Sequence, residues 1–373
     1  MDSARIDRYI DALVERSTPE APAWNIEAVR QGKGASWNYI DGCMLTALLS
    51  MAEIRGDARY REFVKGYVDY FLSPDGEIKS YDEASYNLDN INEGRVLFEL
   101  YRVYGDEKYR LAAEKLHGQL LRQPRTDEGS FWHKKIYPHQ VWLDGIYMAQ
   151  VFSALYEQRF GSGDCGDVLR QVATVRARMY DKEKGLCYHG YDCSRSAFWA
   201  DKQTGLSKSF WLRSMGWLTV ALADLCELLP GEEPLKAFFR ELMAGAARYA
   251  DPDSGMYYQV VDQGGREGNY LETSGSAMLA YAMLKGARLG ILDKEYAAKG
   301  QKTFNGIVDK YLTFNGDALN LGGICLVAGL GPENNRRRDG SYEYYISEPV
   351  VENDAKGVAP FVLCYTEILR AKA

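Results

Sequence analysis

Apolar positions recur with a helical period through most of the chain, and they do so in the same arrangement six times. Each copy begins with an aromatic or apolar approach, continues with a polar residue and a glycine, and leads into a stretch rich in Ala and Leu. The glycines that mark the six copies are Gly42, Gly94, Gly145, Gly216, Gly275 and Gly357. The pattern predicts one apolar helix in each copy.

A second, amphipathic helix is predicted after each of the first five copies, beyond a Gly or Pro-Gly stop. In the first of these, Tyr60, Phe63, Tyr67 and Tyr70 are spaced by three and four residues and therefore share one helix face. The N-terminal segment IDRYIDALVERS supplies the remaining amphipathic helix. Glycine turns such as DKEKGLCYHGYD precede the apolar helices, so all six of them start at the same end.

These elements predict an all-α protein in which residues 1–373 form one (α/α)6 barrel, with short β pieces in the loops at its mouth. The apolar helices would form an inner ring and the amphipathic helices an outer ring. An open solenoid is the alternative for any helical repeat. Six copies with irregular, aromatic-rich loops favour the closed ring.

Composition narrows the classes of partner. The chain has 27 Tyr and 7 Trp, whose flat apolar faces and polar tips suit sugars, although a Tyr-rich core is the simpler explanation. A net charge of −7 without a basic cluster argues against a nucleic acid partner. The sequence has no P-loop, no HExxH and no CxxC pair, so we predict neither a metal nor a cofactor. The oligomeric state is left open.

Location is predicted from the N-terminal sequence and the cysteines. MDSARIDRYIDALVERS is charged throughout, and the chain has no apolar run long enough for a membrane span. Its seven cysteines are odd in number and scattered, which is typical of reduced thiols. We therefore expect a cytoplasmic protein with no membrane partner.

Polar residues gather where the six apolar helices start. The residues concerned are Asp41, Asp89, Asp144, Arg213, Glu272 and Asp354. Because residues at a helix start lie outside the packed stripe, we expect them to project into a shared cavity at the mouth. Helix capping is the alternative for each acid. Capping does not account for Arg213.

Asp144 is the strongest candidate for a general acid. It lies between Trp142 and Tyr147, and aromatic neighbours that exclude water are expected to raise the pKa of a carboxyl. Asp89 holds the equivalent place one repeat earlier and would lie beside Asp144 in the ring. Two neighbouring carboxyls of this kind can act as an acid and a supporting carboxylate.

Several other residues are candidates for substrate binding. Lys134 and Arg213 could hold a carboxylate, and Trp211 and Trp217 flank Arg213 with faces that can stack on sugar rings. His189 lies on a loop between copies. Surface solvation is the alternative for Lys134, and a structural loop histidine for His189. For the loop GPENNRRRDGSYEYY we expect a solvated segment, with a carbohydrate-contacting lip as the alternative.

The same segments resemble glycoside hydrolase family 105, the unsaturated rhamnogalacturonyl hydrolases, and more distantly family 88, the unsaturated glucuronyl hydrolases. The resemblance is most specific in HKKIYPHQVWLDGIYMA, in HGYD followed by FWADKQTGLSKSFWLRSMGW, and in SEPVVENDAKGVAPF. It implies an (α/α)6 barrel with Asp144 as the principal acid and base and Asp89 as its partner. It also implies a subsite for the unsaturated sugar lined by Lys134, Trp142, His189, Trp211, Arg213 and Trp217.

The resemblance implies removal of a 4,5-unsaturated galacturonic acid from the disaccharides that a polysaccharide lyase leaves behind. Leu212 and Ala359 stand where smaller residues are expected, which puts the shape of the second subsite in question. Three alternatives remain: an unsaturated glucuronyl hydrolase acting on other uronyl oligosaccharides, a sugar epimerase on the same toroid, and a helical scaffold without catalysis. An epimerase of this kind would need several catalytic histidines, and the chain has four in all.

Overall fold

Six helices rich in Ala, Leu and Gly form the inner wall of a ring. The computed structural model describes residues 3–316 and 318–372. The inner helices are Tyr39–Arg55; Asp89–Asn92 continued by the 3-10 turn Glu93–Val96 and by Leu97–Tyr104; Leu143–Gly145 continued by the π-helical Ile146–Gln150 and by Val151–Arg159; Leu212–Leu228; Thr273–Arg288; and Ala355–Arg370.

Six amphipathic helices pack around the inner wall, and each turns its apolar face inward. They are Ser3–Glu15, Ala58–Phe71, Glu107–Arg122, Gly166–Met179, Glu233–Ala247 and Glu295–Tyr311. In the helix Ala58–Phe71, Tyr60 and Tyr67 are buried and Tyr70 is 36% exposed, so the aromatic spacing found in the sequence extends from the core to its rim. Alternation of inner and outer helices along the chain follows the predicted order.

The ring is closed by contact between the first and last inner helices. Tyr39–Arg55 packs along Ala355–Arg370, and the Arg370 guanidinium bonds the Glu53 carboxylate at 2.6 Å where both helices end. Closure buries the apolar surface that the terminal repeats of an open solenoid would expose. The predicted (α/α)6 barrel is therefore confirmed, and the open solenoid is excluded for this chain.

Two of the marker glycines, Gly216 and Gly275, lie where neighbouring inner helices approach closely. A side chain at Gly216 would bring its Cβ to 3.3 Å from the Gly275 Cα, and a Cβ at Gly275 would lie 2.4 Å from the Leu212 Cγ. Leu212 thus fills the space that Gly275 leaves. Both Leu212 and Ala359 are fully buried. Their size therefore affects the packing between helices, and neither side chain faces an open cavity.

Short antiparallel ribbons connect outer helices to inner helices, as predicted for the mouth loops. The paired strands are Gln140–Trp142 with Gly190–Asp192, Tyr180–Asp181 with Leu186–Cys187, Tyr257–Tyr258 with Leu271–Glu272, Leu312–Asn315 with Ala318–Leu321, and Ile324–Cys325 with Val350–Val351. The remaining short helices are Ile26–Gln31, Glu83–Ser85, Val261–Gln263 and Tyr342–Ile346.

No helix within residues 3–316 and 318–372 is both long enough and apolar enough to cross a membrane.

Candidate active site

Asp144 is placed at the mouth by a strand on one side and an unusual helix on the other. Trp142 pairs with Gly190 across the ribbon, and the Leu143 amide donates to the His189 carbonyl at 3.1 Å. The segment that follows Asp144, Ile146–Gln150, is π-helical. A π-helical turn inside a helix is uncommon and is often found at functional sites, because the wider turn redirects the side chains beside it.

The Asp144 carboxyl is buried and incompletely bonded. Its Oδ2 lies 3.3 Å from the His189 Nε2, yet neither atom makes a hydrogen bond of good geometry within the described part of the chain. Buried polar atoms in folded proteins are nearly always bonded. Because the Asp144 side chain is 13% exposed, this unmade bond indicates a place where a ligand or water completes the site.

The second ring nitrogen of His189 is held by Tyr345. The Tyr345 hydroxyl lies 2.6 Å from the His189 Nδ1. Burial raises the pKa of Tyr345 well above its usual value, so this hydroxyl keeps its proton. Because a carboxyl oxygen of Asp144 faces the other ring nitrogen, Nε2, at 3.3 Å, the consistent arrangement is a bond that the Tyr345 hydroxyl donates to Nδ1. We therefore assign the ring proton of His189 to Nε2, where it faces Asp144. Trp211 stacks on Tyr345, with ring centroids 5.6 Å apart, and fixes the pair.

Asp89 has a different environment because a cation lies directly against it. Its Oδ2 is 2.5 Å from the Lys134 Nζ, and its Oδ1 is 3.4 Å from the His133 Nε2. Burial opposes ionisation of Asp89, but Lys134 and His133 outweigh it and lower the pKa of this carboxyl. Asp89 is therefore an anion at neutral pH. Its ion pair with Lys134 is the contact that the sequence did not predict.

His133 lies between the two acids and was missed by the sequence analysis. Burial lowers the pKa of His133 to about 4, although the charges of both Asp89 and Asp144 act to raise it. The imidazole is thus neutral at neutral pH, and its ring stacks on Trp142 with centroids 4.4 Å apart. A possible sequence signal was its position directly before Lys134 in a chain with four histidines.

Asp89 and Asp144 therefore lie at the same end of the ring, because the charges of both act on the same histidine, His133. Their side chains are both 13% exposed and that of Lys134 is 22% exposed. The three groups can be approached from solvent through the mouth. This is the arrangement expected of an acid and a supporting carboxylate in unlike settings.

Arg213 is engaged by the protein. Its Nε donates to the Ser274 Oγ at 2.8 Å, its Nη2 bonds the Cys325 carbonyl, and Nη2 also lies 3.6 Å from the Glu272 carboxylate. The residue is 1% exposed. In this structure the guanidinium ties the fourth and fifth inner helices to the loop at Cys325, and its predicted role toward a substrate carboxylate stays a prediction.

Trp217, the third tryptophan predicted to bind substrate, stacks on Tyr147 with ring centroids 4.6 Å apart. The Tyr39 ring meets Trp217 edge-on at 6.2 Å. Trp217 is 2% exposed. Trp142 and Trp211 contact the His189 ring, which faces Asp144. All three indoles are buried among protein groups: His133 and Tyr137 stack on Trp142, and the Arg213 guanidinium lies 5.6 Å from the centre of the Trp211 ring.

The other acids at the helix starts support the backbone. Asp354 caps the last inner helix by accepting from the Lys356 amide, and Glu272 caps the fifth by accepting from the Gly275 amide. Asp41 accepts a hydrogen bond from the Trp24 Nε1 at 2.8 Å. Capping is therefore the correct explanation for Glu272 and Asp354. In the described part of the chain no group of three His, Cys, Asp or Glu side chains could hold a metal ion.

A helical toroid with two carboxyls, a lysine and aromatic rings at its mouth is compatible with glycoside hydrolysis, but the fold alone does not define the reaction. The sequence model of Glycosyl Hydrolase Family 88 matches residues 9–372. The chain belongs to this group of glycoside hydrolases, as a member of family 105 with family 88 as the more distant relative.

Solved and curated relatives agree with this assignment. A family 105 glycoside hydrolase from Clostridium acetobutylicum ATCC 824 is 38% identical, with 98% of each chain covered and a TM-score of 0.89. Protein Atu3128 of Agrobacterium fabrum is 41% identical over 54% of this chain and 90% of its own length. An unsaturated 3S-rhamnoglycuronyl hydrolase of Formosa agariphila is 24% identical over 45% of this chain and 46% of its own length.

Proposed function

We propose that this protein removes the 4,5-unsaturated galacturonic acid from rhamnogalacturonan disaccharides produced by a lyase, with Asp144 as the acid and base and Asp89 as the supporting carboxylate. The observation that carries the proposal is the contrast between these acids. Asp89 is held as an anion by Lys134 at 2.5 Å. In contrast, the buried Asp144 Oδ2 lies 3.3 Å from the His189 Nε2 and has no hydrogen-bond partner within residues 3–316 and 318–372. Two carboxyls in unlike settings can divide the roles of acid and electrostatic support.

The double bond between C4 and C5 makes the terminal sugar a vinyl ether. Asp144 donates its proton to C4, and the positive charge that develops at C5 is shared with the ring oxygen. The Asp89 carboxylate stabilises this charge from nearby. Asp144 then takes a proton from a water molecule, whose oxygen bonds to C5.

The resulting hemiketal opens and releases the second sugar, so the overall change is the addition of one water molecule. His189 Nε2 faces the Asp144 Oδ2 at 3.3 Å without a hydrogen bond of good geometry, so both atoms are available to a substrate or a water molecule. Because water attacks C5 and not the anomeric carbon, the separation of the two carboxyls does not predict retention or inversion. The sugar faces would be bound by the indoles of Trp142, Trp211 and Trp217. Arg213 would act indirectly, by positioning the backbone at Cys325 through its hydrogen bond to that carbonyl.

The comparisons support the substrate class. The Clostridium relative belongs to family 105, and the Formosa relative is named an unsaturated 3S-rhamnoglycuronyl hydrolase. The cytoplasmic location expected from the sequence stays a prediction.

The proposal is tested by following the absorbance of the vinyl ether with unsaturated disaccharides that differ in the second sugar. We expect loss of absorbance, fastest when rhamnose is the second sugar, and slower turnover with glucosamine. Fastest turnover of a glucuronyl disaccharide would instead favour an unsaturated glucuronyl hydrolase. When the reaction is run in D2O and the product is trapped early by chemical reduction, the product should carry one deuterium at C4. An unlabelled C4 would contradict protonation at that carbon.

A further inference from the structure

Three consecutive arginines in the loop before helix Tyr342–Ile346 have different surroundings. Arg336 is exposed, 3.7 Å from the Glu333 carboxylate, with its guanidinium 5.0 Å from the centre of the Phe198 ring. Arg337 bonds the buried Glu348 carboxylate at 2.8 Å. Arg338 is partly buried, and within residues 3–316 and 318–372 its guanidinium makes no hydrogen bond or ion pair. It is a cation without a protein partner.

The backbone at Arg338 is fixed by a tight turn. The Gly331 amide donates to the Arg338 carbonyl at 2.8 Å, and the Arg338 amide donates to the Asn335 carbonyl at 3.3 Å. A Cβ at Gly331 would lie 2.1 Å from the Asn335 oxygen, so the turn requires glycine there. The side chain of Arg338 therefore projects from a defined position, which reduces the entropy lost when it binds a ligand.

Arg338 faces the candidate active site. A Cβ built on Gly329 would lie 3.3 Å from the Arg338 Nη1 and 3.4 Å from the six-membered ring of Trp142, so both groups border the same small space. Burial and the charge of Arg338 both act to lower the pKa of Lys134, and Asp89 outweighs them to raise it. Arg338 is thus close enough to Lys134 for their charges to interact.

Both cations that the sequence suggested for the substrate carboxylate already have protein partners. Lys134 lies against Asp89 at 2.5 Å, and Arg213 is bonded to Ser274 and to the loop at Cys325. A uronate must bring its own negative charge to a mouth that already holds the Asp89 anion. An anion in such a place is best bound by a guanidinium whose donors are free.

We propose that Arg338 binds the carboxylate of the terminal unsaturated uronate, while the sugar lies beside Trp142. This inference rests on the proposed function and adds the residue that selects an acidic terminal sugar. Loss of one charge-assisted hydrogen-bonded pair is expected to weaken substrate use by about 10- to 100-fold.

The test compares the unsaturated disaccharide with its uronate methyl ester, using wild type, Arg338→Ala, Arg338→Lys and Arg336→Ala. The free acid and the ester differ in intrinsic reactivity, but this difference is the same for every variant. We expect Arg338→Ala to lower kcat/KM for the free acid by about 10- to 100-fold, mainly through KM, and to leave the ester nearly unchanged. Arg338→Lys should restore part of the loss, and Arg336→Ala should match wild type.

The inference is overturned if Arg338→Ala keeps the wild-type preference for the free acid over the ester. It is also overturned if Arg338→Ala lowers kcat/KM only for disaccharides whose second sugar carries a sulfate or carboxylate, because Arg338 would then bind the leaving sugar. Thermal unfolding of Arg338→Ala should match wild type because no internal partner is lost. Absence of turnover by wild type on every unsaturated disaccharide would instead refute the proposed function, and this inference with it.

Discussion

The two ends of the helical ring use buried aspartates in opposite ways. Toward the far end, Asp224 accepts hydrogen bonds from Arg95 at 2.7 Å, Lys285 at 2.8 Å and Tyr281 at 2.7 Å. At the mouth, the buried Oδ2 of Asp144 lies 3.3 Å from the His189 Nε2 and has no hydrogen-bond partner among the described residues. Burial opposes ionisation of Asp224, but Lys285 and Arg95 lower its pKa to about 2. The same residue type stabilises the ring at one end and is left available for chemistry at the other.

The largest expected effect is on turnover by Asp144→Asn. Removing the proton donor should lower kcat by at least about 10³-fold, roughly 4 kcal/mol in the barrier. Stability should change little because no internal hydrogen bond to the buried Oδ2 is lost. The measurement is vinyl-ether absorbance together with urea unfolding, and Asp253→Asn on the exposed surface is the matched control. Residual activity within tenfold of wild type would remove Asp144 from the mechanism.

Asp224→Asn should have the opposite effect to Asp144→Asn: stability should fall, and turnover should change little. The substitution leaves Lys285 and Arg95 without their shared anion in a buried site, although Lys285 keeps Glu227 at 2.7 Å. Breaking a buried ion pair in this way costs about 3 to 5 kcal/mol of folding free energy. We expect a lower urea midpoint with kcat close to wild type at a temperature where the variant is folded. Unchanged stability would mean that the comparison between the two ends is wrong.

Because of His133, the free energy of unfolding should decrease as the pH falls. The folded pKa of His133, about 4, lies below the reference value of 6.5, so between these values the unfolded chain binds a proton that the folded protein does not. The free energy of unfolding therefore decreases as pH falls through this window, by about 3 kcal/mol in total. His133→Gln should lose that part of the dependence. Urea unfolding at pH 7 and pH 4.5 measures it, and identical slopes for both proteins would contradict the assignment.

The smallest of these effects is expected for Tyr345→Phe. The change removes the 2.6 Å contact to the His189 Nδ1 and leaves the ring proton of His189 less firmly fixed on Nε2. We expect kcat to fall about tenfold, equivalent to roughly 1.4 kcal/mol, with KM little changed. A change in KM alone would show that Tyr345 acts on substrate binding and does not position His189.

Much of the fold was accessible from local sequence patterns. Helical periodicity located the helices of the ring, and the marker glycines identified the six repeats. The close approach of Gly216 and Gly275 was not predicted. The same patterns placed Asp89 and Asp144 at one end. They did not locate the π-helical turn after Asp144, because a single widened turn hardly alters the spacing of apolar residues.

The sequence alone determined the number of helices, their order and the end at which the acids lie, because these depend on the spacing of residues within one repeat. Only the tertiary structure decided which charges pair. His189 meets Tyr345 across 156 positions of the chain. Arg213 bonds the Cys325 carbonyl and lies near Glu272, whereas the Arg338 guanidinium makes no hydrogen bond or ion pair within residues 3–316 and 318–372. Such partnerships arise when the ring closes, and residues far apart in the chain carry no local signal of them.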